Sequence, residues 1–231
     1  MPNHCDNTLW VVGKPAEVKK FVKACKNPNY GKKPRKAGSD GEFRKDDREW
    51  RIFEGNFPCP QELRDTDAAF YTDKAEQAEQ CEIEAANIEK HGARHWYDWC
   101  CDNWGTKWGD YDTYFGGQGR NGATFTFNTA WSPGSEGLRN ISALWPELAF
   151  VNAYEEGGCD FIGCDAFYRG KTVYSGSGNF PEGPADWDDP DFDPDPHYEE
   201  IDRVRQRWMN KAVAKLTKKS AFHGKKMKAM V

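Results

Sequence analysis

The stretch "YDTYFGGQGRNGATFTFNTAWSPGSEGLRNISALWPELAFVNAYEEGG", residues 111–158, decides the fold. Its first part holds two β-rich runs, "YDTYFG" (111–116) and "ATFTFNTAW" (123–131). The glycine-rich "GGQGRNG" (116–122) between them predicts a hairpin. Phe125 and Phe127 alternate onto one face of the second strand. "SPGSEGLRNISALWPE" (132–147) predicts a helix with Ser at the cap and Pro in the first turn, carrying Leu138, Ile141 and Trp145 on one side. "LAFVNAYEEGG" (148–158) returns to strand.

Upstream, "TLWVVGK" (8–14) reads as a strand. "PAEVKKFVKACKN" (15–27) reads as an amphipathic helix, with Val18, Phe21, Val22 and Cys25 at i, i+3, i+4, i+7. Removing an insertion at 28–110 leaves strand, helix, strand, strand, helix, strand. That order is the split βαβ, or ferredoxin-like, arrangement: an α+β antiparallel sheet with helices on one face. "FIGCDAFYRGKTVYSGSG" (161–178) extends it by a hairpin turning at Arg169–Gly170.

The insertion is largely helical. "NPNYGKKPRKAGSDGEFRKDD" (27–47) is a basic loop, either a solvated excursion or a contact for phosphates or an acidic partner. "WRIFEGNFPCPQEL" (50–63), with prolines flanking Cys59, reads as an extended segment against the body. "TDKAEQAEQCEIEAANIEKHG" (72–92) is a helix with Asp73 and Glu76 in capping-box relation, interrupted by Gly92. "RHWYDWCCDNW" (94–104) resumes helical spacing through Trp96, Trp99, Cys100 and Asn103.

Leu, Ile, Val and Phe supply only 35 of the 231 residues, a level typical of disordered chains. A net charge of only −5, with 10 Trp and 9 Tyr, points instead to a folded core built from rings. No apolar run is long enough to span a bilayer and no signal layout opens the chain, so the expectation is a cytoplasmic protein without a membrane role. The eight cysteines are scattered, which suits reduced, buried thiols.

The chain divides into a domain over 1–180, an acidic linker over 181–197, and an amphipathic helix with a basic tail over 198–231. Residues 182–202 hold ten acidic residues and no Lys or Arg; residues 203–231 hold ten Lys or Arg and no acid. The terminal helix (196–216) places Ile201, Val204, Trp208 and Ala212 on one stripe, a surface on which two copies of the chain can also meet.

The chain resembles the phage and plasmid family of YubB-like, Api92-like proteins with a ferredoxin-like domain. The likeness rests on "MPNHCDNTLWVVG" at the start, "NWGTKWGDYD" (103–112), "FNTAWSPG" (127–134) followed by "LWPEL" (144–148), and "YEEGGCDFIG" (154–163). These segments run in family order across most of 1–180. The resemblance implies the ferredoxin-like fold and a mobile-element origin, and supplies no catalytic activity to carry over.

Chemistry-bearing patterns are sparse. His91 and His95 stand at i, i+4 near Cys100 and Cys101, but Gly92 breaks the helix between them and no CxxC pair exists, so no metal is expected. No nucleotide-binding or hydrolase signature and no cofactor motif is present, which leans away from an enzyme. Candidate binding residues are Trp104, Lys107, Trp108, Trp131, Glu156 and Asp160. A lysine between two tryptophans has no packing role, so a functional Lys107 should point into a pocket. The first expectation is a non-enzymatic accessory protein that binds a host or phage protein, with an anti-defence role as an extension. The second is nucleic-acid binding through the basic loop and Arg203, Arg205, Arg207, Lys211, Lys218 and Lys219. The third is a protein acting on a nucleotide-like small molecule.

Overall fold

The structure, a computed structural model, describes residues 3–28, 30, 48–68, 73–183 and 195–231. Most of the basic loop and residues 184–194 of the acidic linker lie outside the described residues.

The strands are β1 (His4–Gly13), β2 (Tyr111–Gln118), β3 (Gly122–Ala130), β4 (Leu148–Glu156), β5 (Phe161–Tyr168) and β6 (Lys171–Gly178). They form one sheet in the order β2-β3-β1-β4-β5-β6, every pairing antiparallel. The β4-β1-β3-β2 part is the ferredoxin-like core. The β5–β6 hairpin adds to the β4 edge and turns at Arg169 and Gly170, both with left-handed φ (53° and 72°), as a two-residue hairpin turn requires.

One face of the sheet carries the main core. Leu9, Val11, Phe125, Phe127, Phe150 and Phe167 meet α1 (Pro15–Cys25) and α6 (Ser135–Leu144) there. Rings do much of the filling: Phe21 of α1 packs edge-on against Phe125, Phe150 and Trp145 at centroid separations of 5.4–6.2 Å. At α6 the cap is Gly134, with φ of 65°, rather than Ser132, because the chain must turn sharply out of β3 before the helix can start.

The insertion packs on the same side. Residues 50–63 are not extended: they form two short helices, α2 (Ile52–Asn56) and α3 (Gln61–Arg64). The cap of α2 comes from afar, since the Asp110 carboxylate accepts hydrogen bonds from the backbone N–H groups of Ile52 (2.9 Å) and Phe53 (2.8 Å). Asp73 caps α4 (Lys74–His91) by accepting from Ala75 N and Glu76 N, and Gly92 ends it in the left-handed conformation. His95 caps α5 (Trp96–Trp104), accepting from Asp98 N.

Helices are not confined to one face. The tail forms two helices, α7 (Asp195–Lys219) and α8 (Ala221–Lys228), and both lie on the opposite side of the sheet. Met209, Ala212, Val213, Leu216 and Met227 cover Val12, Ala149, Val151, Cys164 and Ala166. The apolar ridge of α7 is therefore spent on the chain's own sheet. Among the described residues no helix is long and apolar enough to cross a membrane.

Candidate functional site

Three loops meet at the end of the sheet where β1 begins and β3 and β4 finish. They are 105–110 (after α5), 131–134 (after β3) and 157–160 (after β4). Side chains stitch them together. Thr106 Oγ1 donates to Ala130 O (3.0 Å) and accepts from Ala130 N (3.1 Å), and Ser132 Oγ donates to Gly105 O. Asn3 bridges the other pair: its carbonyl accepts from Trp131 N (3.1 Å), and its amide reaches Cys159 Sγ at 3.8 Å.

A buried layer supports this end. Trp104 is 1% exposed, packs on Phe53 and Trp99, and donates from Nε1 to Phe57 O at 2.9 Å. Phe53 in turn meets Phe127 of β3, so the rings pin the insertion to the sheet. Asp110 also accepts from Thr113 Oγ1 (2.6 Å), which ties loop 105–110 to α2 and β2. Glu156 is buried and accepts from the backbone N–H groups of Gly158 (2.9 Å) and Cys159. Burial raises its pKa, but hydrogen bonds from the Cys159 thiol and from these backbone N–H groups outweigh burial and hold the carboxyl below its ordinary value.

Behind the loops, Asn152 donates to Asn7 Oδ1 (2.8 Å) and Asn7 donates to Thr129 Oγ1 (2.9 Å), all three buried. Asp165 accepts from Ser135 Oγ and from the Tyr154 hydroxyl. Burial pushes its carboxyl up, against the pull of those donors. This polar layer orders the loops from below.

The outer layer is aromatic and cationic. Trp108 is 41% exposed and Trp131 50%. Trp131 is also held at φ 69°, a left-handed conformation that costs a bulky residue on the order of 1 kcal/mol. Lys107 lines a cleft of about 610 Å³ between α4 and α5, together with Tyr97, Trp96, Arg94, Gln80 and Glu84. Its ammonium lies 4.6 Å from the centroid of the Trp108 ring and 5.6 Å from that of Tyr97. Asp160 is exposed at φ 56° and accepts from Phe180 N at 3.3 Å.

Of the six candidate residues, then, Lys107, Trp108, Trp131 and Asp160 stand outward at one end, while Trp104 and Glu156 hold that end up from inside. Lys107 does meet a pocket. Sequence reasoning missed Asp110 and Tyr97; the run of aromatics through 96–108 was the available signal for Tyr97. Nothing local marked Asp110 as the cap of α2, since the N–H groups it caps lie 57 and 58 positions upstream.

No group of three metal-ligating side chains is assembled among the described residues. Burial raises the Cys5 thiol to about 12 and drives Cys25 and Cys164 up as well. Cys59 is pushed down, by a hydrogen bond from the Cys100 thiol, yet it is itself buried. Phe125 and Phe127 are core side chains, so they form no stacking platform. "GGQGRNG" is a hairpin tip, with Gly119 N donating to Gly122 O at 2.8 Å.

Together these features define an α+β protein with a ferredoxin-like core, a helical insertion and loops gathered at one end of the sheet. Residues 110–189 match the family model described as "Ferredoxin-like domain in Api92-like protein". Over that stretch, about a third of the chain, the protein carries an Api92-like ferredoxin-like domain. Among solved structures, protein api92 from Yersinia pseudotuberculosis is similar at 13% identity and a TM-score of 0.44, covering 80% of this chain and 100% of that one. A search of curated proteins finds no match.

Proposed function

We propose that the protein works by binding, and that the loop end recognises a macromolecular partner, most simply a host or phage protein. The observation that carries the reading is the Lys107–Trp108 pair and the exposed Trp131 on two loops joined to each other by the Thr106–Ala130 and Ser132–Gly105 hydrogen bonds. Tryptophan is among the residues most enriched in protein-binding hot spots. Fixed loops lose little entropy when the partner docks. Keeping a half-exposed tryptophan in a left-handed conformation has a stability cost, and such costs gather at working surfaces.

We take that partner to be one met in a phage- or plasmid-bearing bacterial cell, a reading supported by the mobile-element origin that the sequence resemblance implies. A role in countering host defence extends the same reading. The test is capture of partners from a lysate of the host bacterium on the full chain, followed by amine-reactive crosslinking. The expected crosslinks run from Lys107 and from none of Lys19, Lys20 and Lys23 of α1. Partners crosslinked only away from the loop end would overturn the reading.

A further inference from the structure

We infer that the outer ridge of α7, continued by α8, binds the phosphate backbone of duplex nucleic acid. Arg207, Lys211, Lys215, Lys218 and Lys219 follow at i, i+4, i+8, i+11 and i+12, and all are exposed. They form an inclined row about 18 Å long that winds roughly 120° around the exposed side of the helix, with i, i+4 neighbours about 6 Å apart along the axis. The opposite ridge, with Met209, Ala212, Val213 and Leu216, is buried against the sheet, which fixes the row's outward direction.

Among the described residues, carboxylates pair only with the first turns of α7. Arg203 pairs with Glu199 and Glu200, and Arg205 pairs with Glu155 and Asp202. Residues 206–231 contain no acid at all. Arg207, Lys215, Lys218 and Lys219 have no carboxylate partner among the described residues, and Lys211 rests over the Trp208 ring at 4.3 Å. Exposed Lys225 and Lys228 of α8 continue the basic surface.

A regularly spaced line of cations suits a polyanion with regularly spaced charges better than a compact anion. An anionic membrane is the competing partner for a basic helix. A membrane-surface helix must insert an apolar face, however, and the apolar face of α7 is already covered by β4, β5 and β6. The sequence expectation is thus refined. Arg203 and Arg205 drop out as phosphate contacts, Arg207, Lys211, Lys218 and Lys219 remain, and Lys215 joins them.

The row and the loop end are separate surfaces, so each fails its own test. The test here is fluorescence anisotropy of the full chain with a mixed-sequence DNA duplex of about 20 base pairs, much longer than the row. With four or five contacts, log K should fall with log salt at a slope of about −4, since each phosphate neutralised contributes about −0.9. Lys215→Gln with Lys218→Gln should make that slope shallower by about 1.8. Arg203→Gln should leave it unchanged, and unaltered melting curves would show all variants folded. The inference is overturned by absence of saturable binding at about 50 mM salt, where the electrostatic term is strong. It is equally overturned by a slope indifferent to the double substitution, or by row-dependent binding to phosphatidylserine vesicles that matches or exceeds binding to the duplex.

Discussion

At the end of the sheet where β1 begins, the loops are short, cross-linked by side chains and faced with tryptophan. At the opposite end the connections are glycine turns and the α8 tail, faced with lysine and arginine. The first end is braced from within by Trp104, Asp110 and Glu156. The second is closed by exposed contacts, such as Glu147 between Lys14 (3.4 Å) and Arg169 (3.8 Å), with His223 Nε2 meeting Glu147 O at 2.9 Å. One end is thus built to hold a shape and the other to present charge. A partner that reads shape belongs at the loop end, and a partner that reads charge belongs along the C-terminal helices.

The sharpest way to break this contrast is to remove the ring under the loops. Trp104→Ala should destabilise the protein by about 3–5 kcal/mol, measured by denaturant unfolding, because the cavity opens beside Phe53 of α2 and Trp99 of α5. Asp110→Ala comes next, at about 2–3 kcal/mol, because it strands the Ile52 and Phe53 N–H groups in a buried setting. Asp110→Asn should recover part of that loss through its remaining acceptor. At Trp131, glycine should be more stable than alanine by about 1 kcal/mol, since only glycine adopts left-handed φ without cost. Equal stabilities would remove the strain argument.

The far end should respond to pH instead. Burial holds the His223 pKa below its ordinary value of about 6.5, against the Glu147 carbonyl, which favours the charged ring. Below about pH 6.5 the unfolded chain takes up a proton that the folded one resists. The stabilisation is therefore complete above that pH and is lost as pH falls through the folded value. Hydrogen exchange in α8 should speed up between about pH 7 and pH 5 beyond the change in intrinsic rate, and His223→Phe should flatten that response. Loop 105–110 should show no comparable change.

The sheet was legible because its signals are local. The alternation in 123–131, the Arg169–Gly170 turn and the Val18, Phe21, Cys25 spacing each report on a neighbouring few residues. The short helices at 52–56 and 61–64 escaped because α2 takes its cap from Asp110, far along the chain, and because the prolines around Cys59 argued for extension. The terminal helix was readable from its stripe, but which surface would receive it was not. Small side chains such as Ala149, Ala153 and Ala166 make room for α7, and alanine carries no sign of which helix it will meet. At the site, the density of tryptophans pointed to the right segment. Only the fold separates Trp104, which supports, from Trp108, which is displayed.

That separation is the central claim, and binding of a captured partner tests it most directly. Trp108→Ala with Trp131→Ala should leave unfolding free energy within about 0.5 kcal/mol of wild type, since neither side chain is core. The same pair should weaken the partner's affinity at least about tenfold, or 1.4 kcal/mol, by titration calorimetry. An unchanged affinity in the double variant would contradict the account and leave the loop end as scaffold alone.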